Sequence, residues 1–331
     1  MAYITLSKQN YFHNLELLSL RAGSKDKIAV VLKDNAYGHG IKEMAKLANS
    51  FGIKKAVVRS DFEADMIAKL FDMIIVLLPN KDSKYSQTIN SIDQLKNIKK
   101  HSKIHLKIDS GMHRNGILEN KIQKALEIID EKEAILEGVM THFRSSDDLN
   151  SELFWQMRNW DRIKSKIEKL YTKNKPLYHS FASSTLLRAN MEDDFARCGI
   201  ATYGYSEMDD AFGNFDLKPV LKLYAQKISS KRLKKGEKIG YGGVGVLTKD
   251  CIVSTYDIGY GDGFFRYDGK KEFYIDKFKV IGRISMDSTS LDSHEDKVIF
   301  IDDAKKLSKF FNTISYDILT KLSPNIKKVI I

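Results

Sequence analysis

The sequence is poor in cysteine, since Cys198 and Cys251 are the only two among 331 residues. Two cysteines give no disulfide framework and suit a reducing compartment, so their expected role is packing. Long apolar runs are also missing, because the longest, at residues 73–78, is far too short to span a bilayer. The opening segment MAYITLSKQNYFHNL has no basic stretch followed by an apolar run. We therefore expect a cytoplasmic protein with no membrane partner.

Pro-rich linkers, low-complexity tracts and repeats of solenoid period are absent as well. The length favours about two domains. The 54 Lys and Arg residues exceed the 43 Asp and Glu residues, which gives a formal net charge of +11. The lysines are scattered along helical faces without interleaved aromatic residues, which argues against a nucleic-acid partner. A basic field of this kind would attract an anionic cofactor or substrate.

Short β-branched runs alternate with amphipathic stretches in the first two thirds of the chain, a pattern typical of βα units. Eight runs are candidate strands: IAVVLK (28–33), AVVRS (56–60), MIIVLLP (73–79), QTINS (87–91), IHLKID (104–109), EGVMTHF (137–143), LYHSFA (177–182) and ARCGIAT (196–202). Between them, apolar residues at steps of three and four from Leu153 to Leu170 form one helical stripe. Eight such repeats favour an α/β fold with a (β/α)8 TIM-like barrel over an open doubly wound sheet.

After Asp216 the pattern changes to glycines and alternating strand-like runs, with almost no helical periodicity until near Ser308. This change predicts a mainly-β second domain. The expected bounds are 1–217 for the barrel and 218–331 for the β domain.

Lys33 ends the first of the apolar runs and is followed shortly by a Tyr-Gly-His-Gly turn. For an arbitrary lysine, the commoner interpretation is a side chain that extends from the strand end to solvent. The chemical alternative is a Schiff-base lysine, whose burial lowers the pKa of its amine and makes it both a carbonyl trap and a proton carrier.

Several segments, taken in order along the chain, resemble the alanine racemase family. They are VLKDNAYGHG (31–40), KIDSGMHR (107–114), THF (141–143), ASS (182–184), RCGIATYG (197–204), GYG (240–242), GYGDG (259–263) and GRISMD (282–287). The resemblance implies a pyridoxal 5'-phosphate (PLP) enzyme with a barrel and a C-terminal β domain, which acts on a small amino acid as a homodimer with shared active sites. It also implies D-alanine supply for cell-wall peptidoglycan. Barrel enzymes build their sites at the C-terminal ends of strands, where the matched barrel residues fall.

The resemblance implies that Lys33 carries PLP as a Schiff base. The phosphate would be held by Tyr37, Ser184 and the backbone N–H groups of Gly199 and Ile200. Other cofactor contacts are implied for Arg197, at the pyridine nitrogen, for His142, whose ring would lie against the pyridine, and for Arg114 at the phenolic oxygen. Without the resemblance, a single histidine such as His142 is more often a core residue whose ring nitrogens have hydrogen-bond partners.

Arg114 would also bind the substrate carboxylate, a task suited to its fixed fork of donors. Lys107 matches a lysine that the family often carbamylates. A carbamate would turn a cation that repels Arg114 into an anionic partner, and an ordinary lysine paired with a carboxylate is an equal alternative.

Racemisation removes a proton from one face of Cα and returns it to the other, so two acid/base groups are needed. By resemblance these are Lys33 and Tyr241 of the partner subunit. Met286 would contact the substrate carboxylate through its backbone. The substrate corridor would be lined by Tyr260, Arg266, Arg283 and Asp287.

Two motifs favour other functions only superficially. Residues 240–245 form a literal G-x-G-x-x-G, but no helix follows it and it lies far from any first βαβ unit. His101 and His105 have metal-ligand spacing without a third ligand, so no metal is expected. The chain departs from the family pattern at Ser183, His113 and Arg144, and in its C-terminal SPNIKKVII. A racemase of broader or serine specificity, a decarboxylase and a non-catalytic PLP-binding protein are the alternatives.

Overall fold

The computed structural model describes all 331 residues, which divide into two compact units. The barrel unit comprises residues Tyr11–Ala36 and Ile41–Lys218, and the β unit comprises Met1–Asn10, Tyr37–Gly40 and Pro219–Ile331.

The strands are β1 (Tyr3–Leu6), β2 (Ile28–Val31), β3 (Lys55–Val58), β4 (Met73–Val76), β5 (Ser86–Ile89), β6 (Lys103–Lys107), β7 (Ile135–Met140), β8 (Leu177–His179), β9 (Ala196–Cys198), β10 (Leu221–Leu233), β11 (Lys238–Ile239), β12 (Gly245–Val246), β13 (Cys251–Tyr256), β14 (Tyr274–Ile275), β15 (Phe278–Lys279), β16 (Thr289–Leu291), β17 (Lys297–Ile301) and β18 (Lys327–Ile330). The helices are α1 (Lys8–Ala22), α2 (Lys33–Tyr37), α3 (Ile41–Phe51), α4 (Asp61–Ile67), α5 (Ile92–Lys96), α6 (Ile122–Glu131), α7 (Glu152–Leu170), α8 (Ser183–Arg188), α9 (Ala304–Phe310) and α10 (Ser315–Thr320).

The eight predicted strands of the barrel are all present and confirm the α/β class. They form one parallel sheet in the order β8-β7-β6-β5-β4-β3-β2-β9. A parallel bridge between Ala182 and Arg197 joins the segment after β8 to β9, so the sheet nearly closes on itself. Parallel strands connected by helices place all their carboxyl ends at one rim, where a barrel builds its site.

Helix α7 shows how the apolar pattern becomes packing. Leu153, Trp160, Ile163 and Ile167 are buried on the stripe predicted from the sequence, whereas Leu170 at the helix end is exposed. Trp160 also donates from its indole nitrogen to the Asp193 carboxylate at 3.0 Å, which satisfies the only polar atom of this buried ring.

The β unit contains a sheet ordered β16-β13-β10-β1-β18, in which β17 also pairs with β10, and two short hairpins, β11-β12 and β14-β15. Residues 240–245 lie at the β11-β12 hairpin, with no α-helix after them. The unit includes two segments outside the expected range 218–331, Met1–Asn10 and Tyr37–Gly40. The first contains strand β1, which runs antiparallel to β10 and parallel to β18. Four residues at the start of the chain carry too short a pattern to reveal a pairing more than 200 positions away.

Candidate active site

Lys33 lies just after β2, whose end is fixed from two sides. The backbone N–H of Leu32 donates to the Val57 carbonyl at 2.8 Å, and the Tyr203 hydroxyl donates to the Val31 carbonyl at 2.8 Å. Lys33 itself is half-buried, with its ammonium 3.7 Å from the Asp34 carboxylate. The lysine therefore stands on a rigid strand end at the rim of the barrel.

The residues after Lys33 form a left-handed turn, so segment α2 is not a right-handed α-helix. Asp34, Asn35, Ala36 and Tyr37 all have φ between 53° and 56°. Left-handed backbone costs a residue with a side chain about 1–2 kcal/mol, and such strain collects at functional sites. Asn35 stabilises the turn, because its amide oxygen accepts from the Ile41 backbone at 3.0 Å and its own N–H donates to Glu63 at 3.2 Å.

The barrel unit gathers four cations around His142. Burial, followed by the charges of Arg197, Lys107, Arg114 and Lys33, lowers the pKa of His142 to about 3. The imidazole is therefore neutral at physiological pH. A set of cations that share one neutral neighbour is a site for an anion, since an anionic ligand relieves their mutual repulsion.

Arg197 is buried and its guanidinium is held by several acceptors. It donates to the Thr141 carbonyl at 2.6 Å, to Nδ1 of His179 at 2.9 Å and to the carbonyl of the same histidine. Burial lowers the pKa of Arg197 to about 10, which still leaves the group charged at neutral pH. Sequence spacing gave no signal for His179 or Thr141 as partners of this arginine.

Three of the predicted phosphate residues, Ser184, Gly199 and Ile200, lie at the junction of α8 and β9. The Ser183 hydroxyl, rather than that of Ser184, accepts from the backbone N–H groups of Gly199 at 3.0 Å and Ala201 at 3.4 Å. Ser184 and Ile200 are buried beside it. Backbone N–H groups and serine hydroxyls thus converge on a small region, which has the donor chemistry that a phosphate group needs.

Lys107 is buried at the carboxyl end of β6 and donates to the side-chain oxygen of Asn115. Burial, followed by the charges of Arg114 and Arg197, lowers the pKa of Lys107 to about 8. The observed partner is thus an amide and not the carboxylate that the sequence left open, since Asp109 is hydrogen-bonded to His113 at 3.1 Å. Nothing in the sequence motif signalled Asn115 as a partner.

The β unit carries the remaining predicted residues. Tyr241, Tyr260 and Met286 are exposed, with 70%, 38% and 55% of their surfaces accessible. The Gly261 N–H donates to the Met286 carbonyl at 2.7 Å, and the Tyr260 N–H donates to the Ser285 carbonyl at 3.1 Å, so these two segments are held together.

The other corridor candidates lie on the same unit. Arg283 donates to the Asp268 carbonyl at 3.3 Å, while Arg266 and Asp287 are exposed. Tyr37 belongs to this unit as well, with its ring 5.6 Å from that of Tyr316.

The residues that depart from the family pattern have local partners. His113 binds Asp109, and Arg144 binds Glu152 at 2.7 Å and the Gly111 carbonyl at 2.7 Å.

The two histidines with metal-ligand spacing and the buried cysteine all lie among ordinary structural contacts. His101 is exposed beside Glu133, whereas His105 is buried and hydrogen-bonded to His179, so the spaced histidines do not share a site. Burial raises the pKa of the Cys198 thiol to about 12, which suits a packing role.

Comparison with known proteins decides the family. The model of the alanine racemase N-terminal domain matches residues 6–207, and that of the C-terminal domain matches residues 220–330. The chain belongs to the alanine racemase family. An alanine racemase from a Nitratiruptor species is 49% identical over 333 residues, covering 99% of both chains.

Solved structures of alanine racemases share the fold. The enzyme from Clostridium difficile 630 has a TM-score of 0.90 at 25% identity, covering 100% of this chain and 95% of its own. An alanine racemase from Bartonella henselae, solved with covalently bound pyridoxal phosphate, has a TM-score of 0.84 at 25% identity, with 100% and 99% covered. Among the helices of this alanine racemase family member, none is both long and apolar enough to cross a membrane.

Proposed function

We propose that the protein interconverts L-alanine and D-alanine with PLP bound in the barrel unit. The observation that carries the proposal is the set of cations around a neutral His142, beside a lysine at the end of a barrel strand. The family of the chain and the covalently bound pyridoxal phosphate of the Bartonella henselae relative support the cofactor. PLP, when bound, withdraws electrons from the Cα of an attached amino acid and so makes its proton removable.

The predicted cofactor residues, most of which lie in the barrel unit, have the chemistry that such a cofactor needs. Lys33 offers an amine for a covalent link. Tyr37, Ser184 and the backbone N–H groups of Gly199 and Ile200 would hold the phosphate, and the Ser183 hydroxyl, which accepts from the Gly199 N–H, would help to orient this backbone. The neutral ring of His142 offers an apolar face for the pyridine.

Arg197 has a specific role in this scheme. A permanent guanidinium disfavours a proton on a neighbouring pyridine nitrogen. Its hydrogen bonds to the Thr141 carbonyl and to His179 hold the guanidinium in place. The expected effect is a weaker electron sink, which limits side reactions at Cα.

The proton steps belong to two residues. Lys33 would exchange a proton with one face of Cα, and Tyr241 of the partner subunit with the other, in a homodimer whose two sites each use both chains. The exposed position of Tyr241 in a single chain supports a role at a subunit interface.

The substrate would be bound through its carboxylate. Arg114 offers a planar pair of donors, and the Met286 backbone is held in place by its bond to Gly261. The corridor to the site would be lined by Tyr260, Arg266, Arg283 and Asp287.

Lys107 would act as a carbamate that faces Arg114. The lowered pKa of its buried amine supports this assignment, because only the neutral amine reacts with carbon dioxide. The product, D-alanine, would serve cell-wall peptidoglycan, and the enzyme would work in the cytoplasm, as the two unpaired cysteines favour.

The test is enantiomer formation by the purified protein with PLP. We expect D-alanine from L-alanine, and L-alanine from D-alanine, each reaction ending at an equal mixture. L-serine should react more slowly. Release of carbon dioxide, faster turnover of serine than alanine, or no turnover with PLP bound would contradict the proposal.

A further inference from the structure

A line of buried polar side chains extends from Arg197 into the barrel. Nδ1 of His179 accepts from Arg197 at 2.9 Å, and Nε2 of His179 lies 2.8 Å from Nδ1 of His105. Nε2 of His105 lies 3.1 Å from the Glu137 carboxylate. We call Arg197, His179, His105 and Glu137 the buried network.

The chemistry of the groups fixes the direction of every hydrogen bond. Arginine has only donors, so Nδ1 of His179 must accept and its proton must lie on Nε2. That proton is then donated to Nδ1 of His105, which leaves the proton of His105 on Nε2, facing Glu137. The carboxylate is an acceptor only, and it therefore closes the network.

The protonation states of the two histidines and of Glu137 agree with these hydrogen-bond directions. Burial, together with the nearby Arg197, holds the pKa of His179 well below its usual value, and burial lowers that of His105. Although its own burial acts the other way, hydrogen bonds from His105 and Ser86 hold the pKa of Glu137 below its usual value. Two neutral imidazoles thus connect a guanidinium to a carboxylate.

A strand irregularity brings the carboxylate to the network. The pairing of β6 with β7 shifts between Ile104–Leu136 and His105–Gly138, so Glu137 is an extra residue in its strand. A bulge of this kind re-aims a side chain, and here the carboxylate reaches His105. The side chain of Glu137 is only 19% exposed.

The space for His105 comes from Gly138. A Cβ at this glycine would lie 2.3 Å from Nδ1 of His105, the atom that accepts from His179. On the other side, the Phe195 ring stacks on His179, with centroids 4.3 Å apart and an angle of 19° between the planes. Both histidine rings are thereby fixed in orientation.

We propose that Glu137 is a positioning residue for Arg197: it accepts the Nε2 proton of His105 and, through the two histidines, holds Arg197 in the orientation in which it faces the cofactor. The inference rests on the proposed function, in which Arg197 lies at the pyridine nitrogen. Glu137 itself acts only through the two histidines.

The test uses the holoenzyme labelled with 15N-histidine, whose eight histidines give few signals. Signals are assigned by their loss in the variants His105→Gln and His179→Gln. In the wild type, both residues should show a protonated Nε2 and an unprotonated Nδ1. A protonated Nδ1 on either histidine would overturn the proposal, whether or not the Glu137 variants fold.

Variants separate the acceptor from its charge. Glu137→Leu removes the acceptor, so the Nε2 proton of His105 should lose its hydrogen bond and its NMR signal should move upfield, while Arg197 keeps both tautomers unchanged. The kcat for alanine should fall about tenfold or more, with KM within about twofold, because an outer partner is lost and the substrate contacts are kept. Glu137→Gln keeps an acceptor oxygen and should keep this hydrogen bond, with a smaller loss of kcat.

The matched control is Glu131→Leu, which removes an exposed carboxylate at the end of α6. It should leave the Nε2 proton signal of His105 and kcat unchanged. An unchanged Nε2 proton signal in Glu137→Leu, a lost hydrogen bond in Glu137→Gln, or an equal loss in the control would each contradict the inference. Racemisation by the wild type, measured alongside, separates failure of this inference from failure of the proposed function.

Discussion

The buried ammonium of Lys107 donates a hydrogen bond to the side-chain oxygen of Asn115, a neutral partner, while Arg114 and Arg197 both act on it as neighbouring cations. An amide does not compensate a buried positive charge as a carboxylate would. The nearby Asp109 carboxylate acts the other way, but burial and the two arginines still lower the pKa of Lys107 to about 8.

We predict that Lys107 becomes a carbamate in bicarbonate. A 13C-bicarbonate NMR experiment should show a protein carbamate signal that grows as the pH rises toward about 8 and then levels off. Below its pKa of about 8 the ammonium must release a proton to react, whereas above it the amine is already neutral.

The variant Lys107→Met should lose this signal. The matched control, Lys124→Met, removes an exposed lysine of α6 and should keep it. A signal that survives in Lys107→Met would show that the carbamate lies elsewhere.

Gly263 has a conformation and a neighbour that exclude a side chain. Its φ is +86°, and a Cβ would lie 1.8 Å from the carbonyl oxygen of Lys321. We expect Gly263→Ala to destabilise the protein by about 3 kcal/mol or more, because the backbone must move. Thermal unfolding measures the loss.

Gly236 provides the comparison, since its φ is +90° and a Cβ at this position would have no atom within 4 Å. Gly236→Ala should cost only the left-handed penalty of about 1–2 kcal/mol. Equal shifts of Tm for the two variants would mean that the close approach of Gly263 to Lys321 does not add to the destabilisation.

The shared active site predicts complementation between inactive chains. A Lys33→Ala chain and a Tyr241→Ala chain, mixed so that subunits exchange, form hybrids in which one site keeps both intact residues. Random assortment makes about half of the dimers hybrids, so activity should recover to roughly a quarter of wild type. Chiral analysis of alanine measures the recovery.

Each variant taken alone through the same exchange serves as the control, and tags on the two chains verify that hybrids formed. No recovery despite verified hybrids would place Tyr241 and Lys33 of one chain in the same site.

Strand periodicity was enough to predict the barrel, because each parallel strand is a short apolar run that ends where polar residues begin. Lys33 could be placed at the rim for the same reason. The pairing of Tyr3–Leu6 with β10 and β18 could not be predicted from the sequence, since it depends on contacts between residues distant in sequence.

The buried network escaped prediction for a different reason. His105 and His179 are 74 residues apart, and no local pattern connects them. The inward position of Glu137 results from a register shift in β7, and a single extra residue in a strand reverses the alternation on which sequence patterns depend. The role of Ser183 at Gly199 likewise depends on how α8 meets β9.

Covalent attachment of the cofactor to Lys33 is the property on which the proposed chemistry depends most. Borohydride reduces an imine to a stable amine, so treatment of the holoenzyme should attach PLP permanently to its lysine. We predict that peptide mapping by mass spectrometry finds the label on Lys33, and that the Lys33→Ala variant carries none. A label on any other lysine of the wild type, with Lys33 unmodified, would contradict the account.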